Sequence, residues 1–182
     1  MAFRLICNME LKQRKPNRLK NYDYGQNGQY FVTICVDEKM PVTKILSKIE
    51  PVGNAVTGVL QKSQSNAVPG DAKIILSNYG IIAENIILRM KDFYDCIKID
   101  KYVIMPNHIH LLITIDDSGA PGTVHPTLSQ FIGTMKRMIN KEIGVKIWQK
   151  SFHDHIIRDD NDYLVRWKYI DDNPAKWLLN EP

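Results

Sequence analysis

Two histidines, His108 and His110, stand one residue apart in the segment KYVIMPNHIHLLITI (101–115), which is otherwise rich in Ile, Leu and Val. Such an apolar run is typical of a buried β-strand. Because strand side chains alternate, both imidazoles point to one face, while Ile109 and Leu111 point to the other. Two imidazoles placed in this way can bind one divalent metal ion. Alternatively, they are polar residues of a half-exposed sheet face, hydrogen-bonded to their neighbours.

The residues that follow the pair exclude several kinds of histidine metal site. Leu111 and Leu112 stand directly after His110, so there is neither an HxHxDH pattern, as in metallo-β-lactamase-like enzymes, nor a third alternating histidine, as in histidine-triad hydrolases. The three cysteines form no CxxC pair, so a structural zinc site is not indicated. A third metal ligand would therefore come from a distant part of the chain.

A second alternating pair, His153 and His155, lies in the segment SFHDHIIR. Its spacing suits a second metal site, contacts with phosphate groups, or acid–base assistance to a nearby reacting group. It is equally consistent with a hydrogen-bonded strand on the protein surface. The sequence alone leaves these readings open.

The elements that must position these residues follow the order β…αββαβα. Two helices are marked by end signals: SNYGIIAENIILRM has Ser77 or Asn78 as its N-cap, and TLSQFIGTMKRMINKEIG is capped by Thr127 and closed by Gly144. The predicted strands are YFVTICV, CIKIDKYVIMP, HIHLLITI and the extended VKIWQKSFHDHIIR, with a hairpin turn at MPN. The last element, DDNDYLVRWKYIDDNP, is predicted to be a helix that ends before Pro174. This order predicts an α+β sandwich with a mainly antiparallel sheet.

Composition and charge bound the remaining possibilities. The 182 residues suit a basic N-terminal arm (1–29) and a single domain (30–182), within which residues 40–76 form a variable hairpin or loop insertion. The net charge of +4 and the pI of about 8.9 permit an anionic partner without requiring one. No secretory signal is recognisable, and no apolar run approaches the ~20 residues of a membrane helix, so we expect a cytoplasmic protein without a membrane partner.

The blocks MPNHIHLL, WQKSFHDHIIR and YIDDNP, in this order, resemble the HUH single-tyrosine transposases. The resemblance is strongest to the branch of REP-associated tyrosine transposases, or insertion-sequence-200-like transposase domains. It spans roughly residues 14–178, although residues 40–76 match poorly. It implies a ferredoxin-like α+β sandwich, with the HUH residues on the central sheet and the helices packed on it.

The resemblance also implies a role for each candidate site residue. His108 and His110 would bind a divalent cation, Mg²⁺ or Mn²⁺. Tyr169 would be the nucleophile, and Asn173, four residues later, would be the third ligand. Residues i and i+4 share a helix face, which is consistent with both pointing to one site. The alternatives are that Tyr169 packs in the core and that Asn173 caps the helix before Pro174. The second pair, His153 and His155, would be auxiliary.

The function implied is metal-dependent cleavage and rejoining of single-stranded or hairpin DNA through a 5′-phosphotyrosine intermediate, as in a transposase. The protein would be a monomer or a loose homodimer, and nucleoid-associated. DNA phosphates would be contacted by basic residues of the arm and of the helix after the hairpin: Lys12, Arg14, Lys15, Arg18, Lys20, Lys136, Arg137 and Lys141. Two alternatives are a binding module for hairpin DNA or RNA without chemistry, and a metal-dependent nuclease that uses water.

Overall fold

The computed structural model describes residues 26–52, 72–116 and 126–180, which contain six strands and three helices. In chain order the elements are β1 (Gly28–Cys35), β2 (Ser47–Pro51), β3 (Ala72–Leu76), α1 (Asn78–Arg89), β4 (Ile97–Ile104), β5 (His108–Ile115), α2 (Leu128–Ile143), β6 (His153–Ile157) and α3 (Asp160–Asn180). A short 3₁₀ turn, Met90–Asp92, follows α1. The predicted α+β class and element order are confirmed.

Four strands form the central sheet in the order β4-β5-β1-β6. Each neighbouring pair is antiparallel. Without the hairpin of β2 and β3, the chain order of the remaining elements up to β6 is βαββαβ. The first and third strands of this pattern, β1 and β5, lie side by side in the middle of the sheet. Its second and fourth strands, β4 and β6, form the edges. This is the arrangement of a ferredoxin-like sandwich. It places β5, which carries His108 and His110, in the interior of the sheet between β4 and β1.

The ends of α1 and α2 are set by local chemistry, as the sequence predicted. Ser77 is the N-cap of α1, and its hydroxyl accepts a hydrogen bond from the N–H of Gly80 at 3.2 Å. Thr127 and Gln130 form a capping box at the start of α2. Gly144 ends α2 with a φ of 84°, a left-handed conformation that favours glycine.

The two faces of the sheet pack against different helices. Apolar side chains of one face, with those of α1 and α2, form the main core. Examples are Tyr30, Ile109, Leu111 and Phe131, all of which are fully buried. The other face is covered by α3 and by a hairpin of β2 and β3, through a smaller apolar cluster that includes Phe31 and Ile170. His108 and His110 lie on this second face.

The segment 40–76 contributes β2 and β3, which pair antiparallel from Ser47↔Leu76 to Pro51↔Ala72, in line with the hairpin-like strands predicted there. Residues 53–71 lie outside the described residues. The N-terminal arm is described only from residue 26, so the division of the chain at residue 30 stays a prediction. Strand β1 itself begins two residues earlier, at Gly28.

The prediction that the last helix ends before Pro174 is wrong. Helix α3 continues through Pro174 to Asn180. Proline has no N–H to donate to the carbonyl of Ile170, which is why a proline normally indicates a helix end. Here, packing compensates, because Trp177 and Leu178 beyond the proline pack on the apolar cluster of the sheet. Tertiary contacts outweigh the local preference of the proline.

Candidate functional site

The two histidines of β5 form a close pair beneath α3. Their Nε2 atoms are 3.0 Å apart and their ring centroids 4.5 Å apart. In the strand register, His110 lies opposite Thr33 and His108 opposite Cys35 on β1. The alternation of β5 therefore places both imidazoles on the α3 face, as predicted from their spacing.

Hydrogen bonds to the outer nitrogens orient both rings. Nδ1 of His108 donates to Oδ1 of Asn107 at 2.7 Å, which leaves the lone pair of His108 on Nε2. The hydroxyl of Thr33 lies 2.8 Å from Nδ1 of His110, and this hydrogen bond fixes the orientation of the His110 ring. The two Nε2 atoms thus face each other at hydrogen-bonding distance, and a metal bound between them would take the place of the shared proton. Partners of this kind are what orient metal-binding histidines in proteins.

Burial keeps the pair uncharged. Loss of hydration lowers the pKa of His108 to about 4 and that of His110 to about 3, the latter also through repulsion from His108. His110 is only 5% exposed. At neutral pH both imidazoles are therefore neutral, which is the protonation state that binds a metal.

The geometry of the pair fits a shared divalent cation. Two nitrogen ligands ~2.1 Å from one ion and roughly at right angles would stand about 3.0 Å apart. The observed Nε2 separation is 3.0 Å. Imidazole suits Mn²⁺ and later divalent metals, and an additional oxygen ligand would suit Mg²⁺ or Mn²⁺. Within residues 26–52, 72–116 and 126–180, no group of three His, Cys, Asp or Glu side chains could hold a metal. A third protein ligand from this part of the chain would therefore be of another type.

Helix α3 brings Tyr169 to the histidine pair. The ring centroid of Tyr169 lies 5.3 Å from that of His110 and 5.6 Å from that of Phe31, in edge-on contacts. Phe31 in turn stacks on His110 at 5.1 Å. The side chain of Tyr169 is 37% exposed, so a ligand can reach it from solvent. Tyr169 therefore packs only in part, and it lies where the sequence analysis expected a nucleophile.

Asn173 lies one turn after Tyr169 and is 8% exposed. Because α3 continues to Asn180, Asn173 is an interior helix residue, and the alternative that it caps the helix is excluded. A buried amide is costly unless its polar atoms are paired. The spacing of i and i+4 puts Asn173 and Tyr169 on the same side of α3.

The second histidine pair lies on the same sheet face, on edge strand β6. The register sets His153 opposite Thr33 and His155 opposite Phe31. Both are exposed. Nε2 of His155 lies 2.6 Å from Oδ2 of Asp162 and 3.3 Å from a guanidinium nitrogen of Arg166, whose Nε donates to Asp162 at 3.1 Å.

These partners bear on the roles left open for the second pair. His155 is engaged by two side chains of α3, and in the described part of the chain it is not one of three grouped metal ligands. A second metal site is therefore not supported there. Its auxiliary role with His153 stays a prediction.

Of the eight basic residues predicted to contact DNA, the structure describes only three. Lys12, Arg14, Lys15, Arg18 and Lys20 lie outside the described residues. Arg137 and Lys141 are exposed on α2. This helix packs on the sheet face opposite to the histidine pair.

Lys136 does not fit its predicted role. It is only 9% exposed, and its Nζ donates to the carbonyls of Gln149 at 2.9 Å and Ser151 at 2.7 Å. Burial lowers the pKa of Lys136 to about 8. Lys136 therefore ties α2 to the segment before β6 and is not placed to contact DNA phosphates.

Several residues that shape the site carry no sequence signal of their own. Thr33, Asn107, Phe31, Arg166 and Trp177 are ordinary strand, turn and helix residues in the sequence. Their contacts with the histidines and with one another come from strand pairing and from the packing of α3 on the sheet. Only the alternation of β1 could have indicated that Phe31 and Thr33 share a face.

Comparison with known proteins supports the family resemblance. No family model matches the chain. An uncharacterized protein of Haemophilus influenzae is 29% identical over 191 residues, which cover 93% of each chain. The REP-associated tyrosine transposase of Escherichia coli is 30% identical over 80 residues, 43% of this chain and 45% of that protein. The match thus spans about half the length of this named relative.

A solved structure shares the fold. A REP-associated tyrosine transposase bound to a REP hairpin superposes with a TM-score of 0.59 at 18% identity, over 90% of this chain and 74% of that chain. This likeness confirms the predicted α+β sandwich with its mainly antiparallel sheet. The relative from Escherichia coli confirms the predicted resemblance to the REP-associated tyrosine transposases. No helix among the described residues is long and apolar enough to cross a membrane.

Proposed function

We propose that the protein is a DNA strand transferase of the transposase kind, which cleaves and rejoins single-stranded or hairpin DNA through a covalent bond to Tyr169. The observation that carries the proposal is the contact of Tyr169 with His110, at 5.3 Å between ring centroids. This contact places the phenol of Tyr169 beside the histidine pair, whose geometry suits a divalent cation. The named relative from Escherichia coli supports the same class of activity.

His108, His110 and Asn173 hold the cation in this proposal. Nε2 of each histidine offers a lone pair, and Asn173 offers an amide oxygen from the facing helix. Bound there, Mg²⁺ or Mn²⁺ would act as a Lewis acid toward the oxygens of the scissile phosphate. Three protein ligands leave coordination positions for those oxygens, which a catalytic site requires.

Tyr169 supplies the nucleophile. Its oxygen attacks phosphorus in line and forms a bond to the 5′-phosphate, while the P–O3′ bond breaks and the 3′ oxygen leaves as a hydroxyl after taking up a proton. The phosphotyrosine bond replaces one ester by another, so no external energy is needed to reverse it. Attack by a 3′-OH of a second strand end then rejoins DNA and frees the tyrosine.

The surroundings of Tyr169 suit an anionic substrate. The ammonium of Lys176 lies 5.5 Å from the centroid of the Tyr169 ring. The guanidinium of Arg166 lies 5.7 Å from the centroid of Phe31, the ring that contacts both Tyr169 and His110. Each cation also pairs with an aspartate of α3, Lys176 with Asp172 at 3.4 Å and Arg166 with Asp162 at 3.1 Å. In this proposal they position a phosphate by charge and carry no base specificity.

The test is a covalent-adduct assay with Mn²⁺ and labelled hairpin oligonucleotides taken from DNA that flanks the gene. We expect a protein–DNA band that survives denaturation, is absent with EDTA and is absent in Tyr169→Phe. Tyr163→Phe is the matched control, since Tyr163 lies on the same helix and packs near Trp167, 6.0 Å between centroids, away from the histidine pair. It should retain the band.

Other outcomes separate the alternative functions. Cleavage that persists in Tyr169→Phe without a covalent band would instead indicate a metal-dependent nuclease that uses water. Tight hairpin binding without cleavage, by the wild type with Mn²⁺ and every flanking hairpin, would indicate a binding module. Either result would contradict the proposed strand transfer.

A further inference from the structure

The part of α3 beyond Pro174 places a second aromatic residue beside the histidine pair. The indole of Trp177 lies 5.9 Å from the imidazole of His108, between ring centroids, and is tilted by 47°. Trp177 packs on the apolar cluster of this sheet face but is only partly buried. It follows Tyr169 by eight residues, about 12 Å along the helix. Tyr169 thus borders the pair at His110, and Trp177 borders it at His108.

A cation accompanies the indole. Nζ of Lys44, from the segment before β2, lies 5.7 Å from the centroid of the Trp177 ring. Lys44 is exposed, so its ammonium can contact a phosphate of a bound ligand. The arrangement of an aromatic ring with an adjacent cation next to a phosphate-processing site is what proteins use to bind single-stranded nucleic acid.

We propose that Trp177 and Lys44 form a subsite for one nucleotide of single-stranded DNA. The nucleobase stacks on the indole face over which the Lys44 ammonium lies, and that ammonium moves aside to pair with the phosphate of the same nucleotide. This inference rests on the proposed function and adds a binding element to it. Stacking tolerates any base, because every base has a π face, so the subsite holds the strand without reading its sequence.

Trp167 provides the contrast on the same helix. Its side chain is 37% exposed, and the ammonium of Lys101 lies 4.1 Å from its ring centroid. That ammonium is also 2.6 Å from both carboxylate oxygens of Asp171. In the described part of the chain, the aromatic ring that Trp167 contacts is Tyr163 and neither His108 nor His110, so we expect no nucleotide subsite there.

The experiment measures binding apart from chemistry. In the Tyr169→Phe background with EDTA, affinities are measured by fluorescence anisotropy for oligothymidylate and for an abasic oligonucleotide of equal length and charge. We expect the parent to prefer the oligomer with bases. Trp177→Ala should weaken oligothymidylate binding roughly tenfold and leave the abasic affinity unchanged. Trp177→Phe should restore most of the preference, and Trp167→Ala should retain it fully.

Lys44 should have a different signature. Lys44→Gln should weaken the binding of both oligonucleotides by the same factor, because a phosphate contact does not depend on the base. The slope of log affinity against log salt concentration should fall by about 1. A change in base preference without a change in salt dependence would contradict the assigned role of Lys44.

Three results would overturn the subsite. One is an equal effect of Trp177→Ala on both oligonucleotides or none on either. Another is a lower melting temperature or weaker Mn²⁺ binding with an unchanged base preference, which would make Trp177 a packing residue. The third is a parent protein that shows no base preference. If the base preference depends on Trp177 but no covalent adduct forms in the wild type, the subsite stands and the proposed strand transfer fails.

Discussion

The two faces of the central sheet use the same strands in opposite ways. Toward α1 and α2, strand β5 presents Ile109 and Leu111, which are fully buried in the main core. Toward α3, the same strand presents His108 and His110, whose Nε2 atoms face each other at 3.0 Å. Alternation along one strand therefore separates the residues that stabilise the fold from those that carry the chemistry.

The α3 face can carry polar groups because its own packing is modest. One helix and one hairpin cover it, and its apolar cluster is smaller than the main core. The histidines are stabilised by side-chain partners from neighbouring positions, Thr33 and Asn107. We therefore expect substitutions on this face to alter metal binding and activity more than stability, and substitutions on the other face to do the reverse.

The largest expected effect is that of His110→Gln. The variant replaces the imidazole nitrogen that faces His108 with a weaker amide ligand, so we expect weaker Mn²⁺ binding by calorimetry and a roughly 100- to 1000-fold fall in adduct formation. Its free energy of unfolding should fall by about 1–3 kcal/mol, since the buried amide replaces the hydrogen-bonded imidazole. A variant that is folded and fully active would contradict the assignment of the metal site.

The adjacent residue tests the opposite face. Leu111→Ala creates a cavity in the main core, where Leu111 is fully buried. We expect a loss of about 2–5 kcal/mol in the free energy of unfolding, measured by urea denaturation. At a temperature where the variant is still folded, its Mn²⁺ affinity should equal that of the wild type. A parallel loss of metal affinity would show that the two faces are not independent.

A smaller effect is expected from the hydroxyl that orients His110. Thr33→Val has nearly the same shape but cannot hydrogen-bond to Nδ1, so we expect Mn²⁺ affinity to fall about tenfold. Thr33→Ser keeps the hydroxyl and is the control, with near wild-type affinity. Equal affinities of the valine and serine variants would mean that packing alone orients the ring.

The smallest effect concerns the buried charge of Lys136 on α2. Its pKa is about 8 in the folded protein, against 10.5 for an ordinary lysine. The unfolded chain therefore binds more protons between pH 8 and 10.5, and folding becomes more favourable as the pH rises through this range. From pH 8 to 9 the wild type should gain about 1 kcal/mol relative to Lys136→Met. Thermal or urea unfolding of both proteins at each pH measures this difference, and a constant difference would contradict the lowered pKa.

Local signals in the sequence predicted the parts of the fold that local chemistry determines. The caps Ser77, Thr127 and Gly144 mark helix ends through contacts within a few residues, and the alternation of His108 and His110 predicted their common face. The resemblance to a known family, and not periodicity, indicated Tyr169 and Asn173. The structure places Tyr169 against His110. The chemical roles of Tyr169 and Asn173 stay proposals.

Features that depend on contacts between distant parts of the chain could not be predicted from the sequence. Pro174 predicted a helix end, whereas packing of Trp177 and Leu178 on the sheet continues the helix. Lys136 has the spacing of a surface residue, and its two carbonyl partners come from the segment before β6. The contact of Trp177 with His108 could not be predicted for the same reason, since a helix that ended at residue 173 would not include Trp177.

The most direct measurement identifies the residue to which DNA is covalently bound. The adduct is digested with nuclease and trypsin, and the peptide that carries the nucleotide is then determined. Tryptic cleavage after Lys168 and Lys176 yields YIDDNPAK, in which Tyr169 is the sole hydroxyl side chain. The account predicts a nucleotide phosphate on this peptide, identified by mass spectrometry, and an unmodified peptide DDNDYLVR containing Tyr163. A nucleotide on any other peptide would contradict the assignment of Tyr169 as the nucleophile.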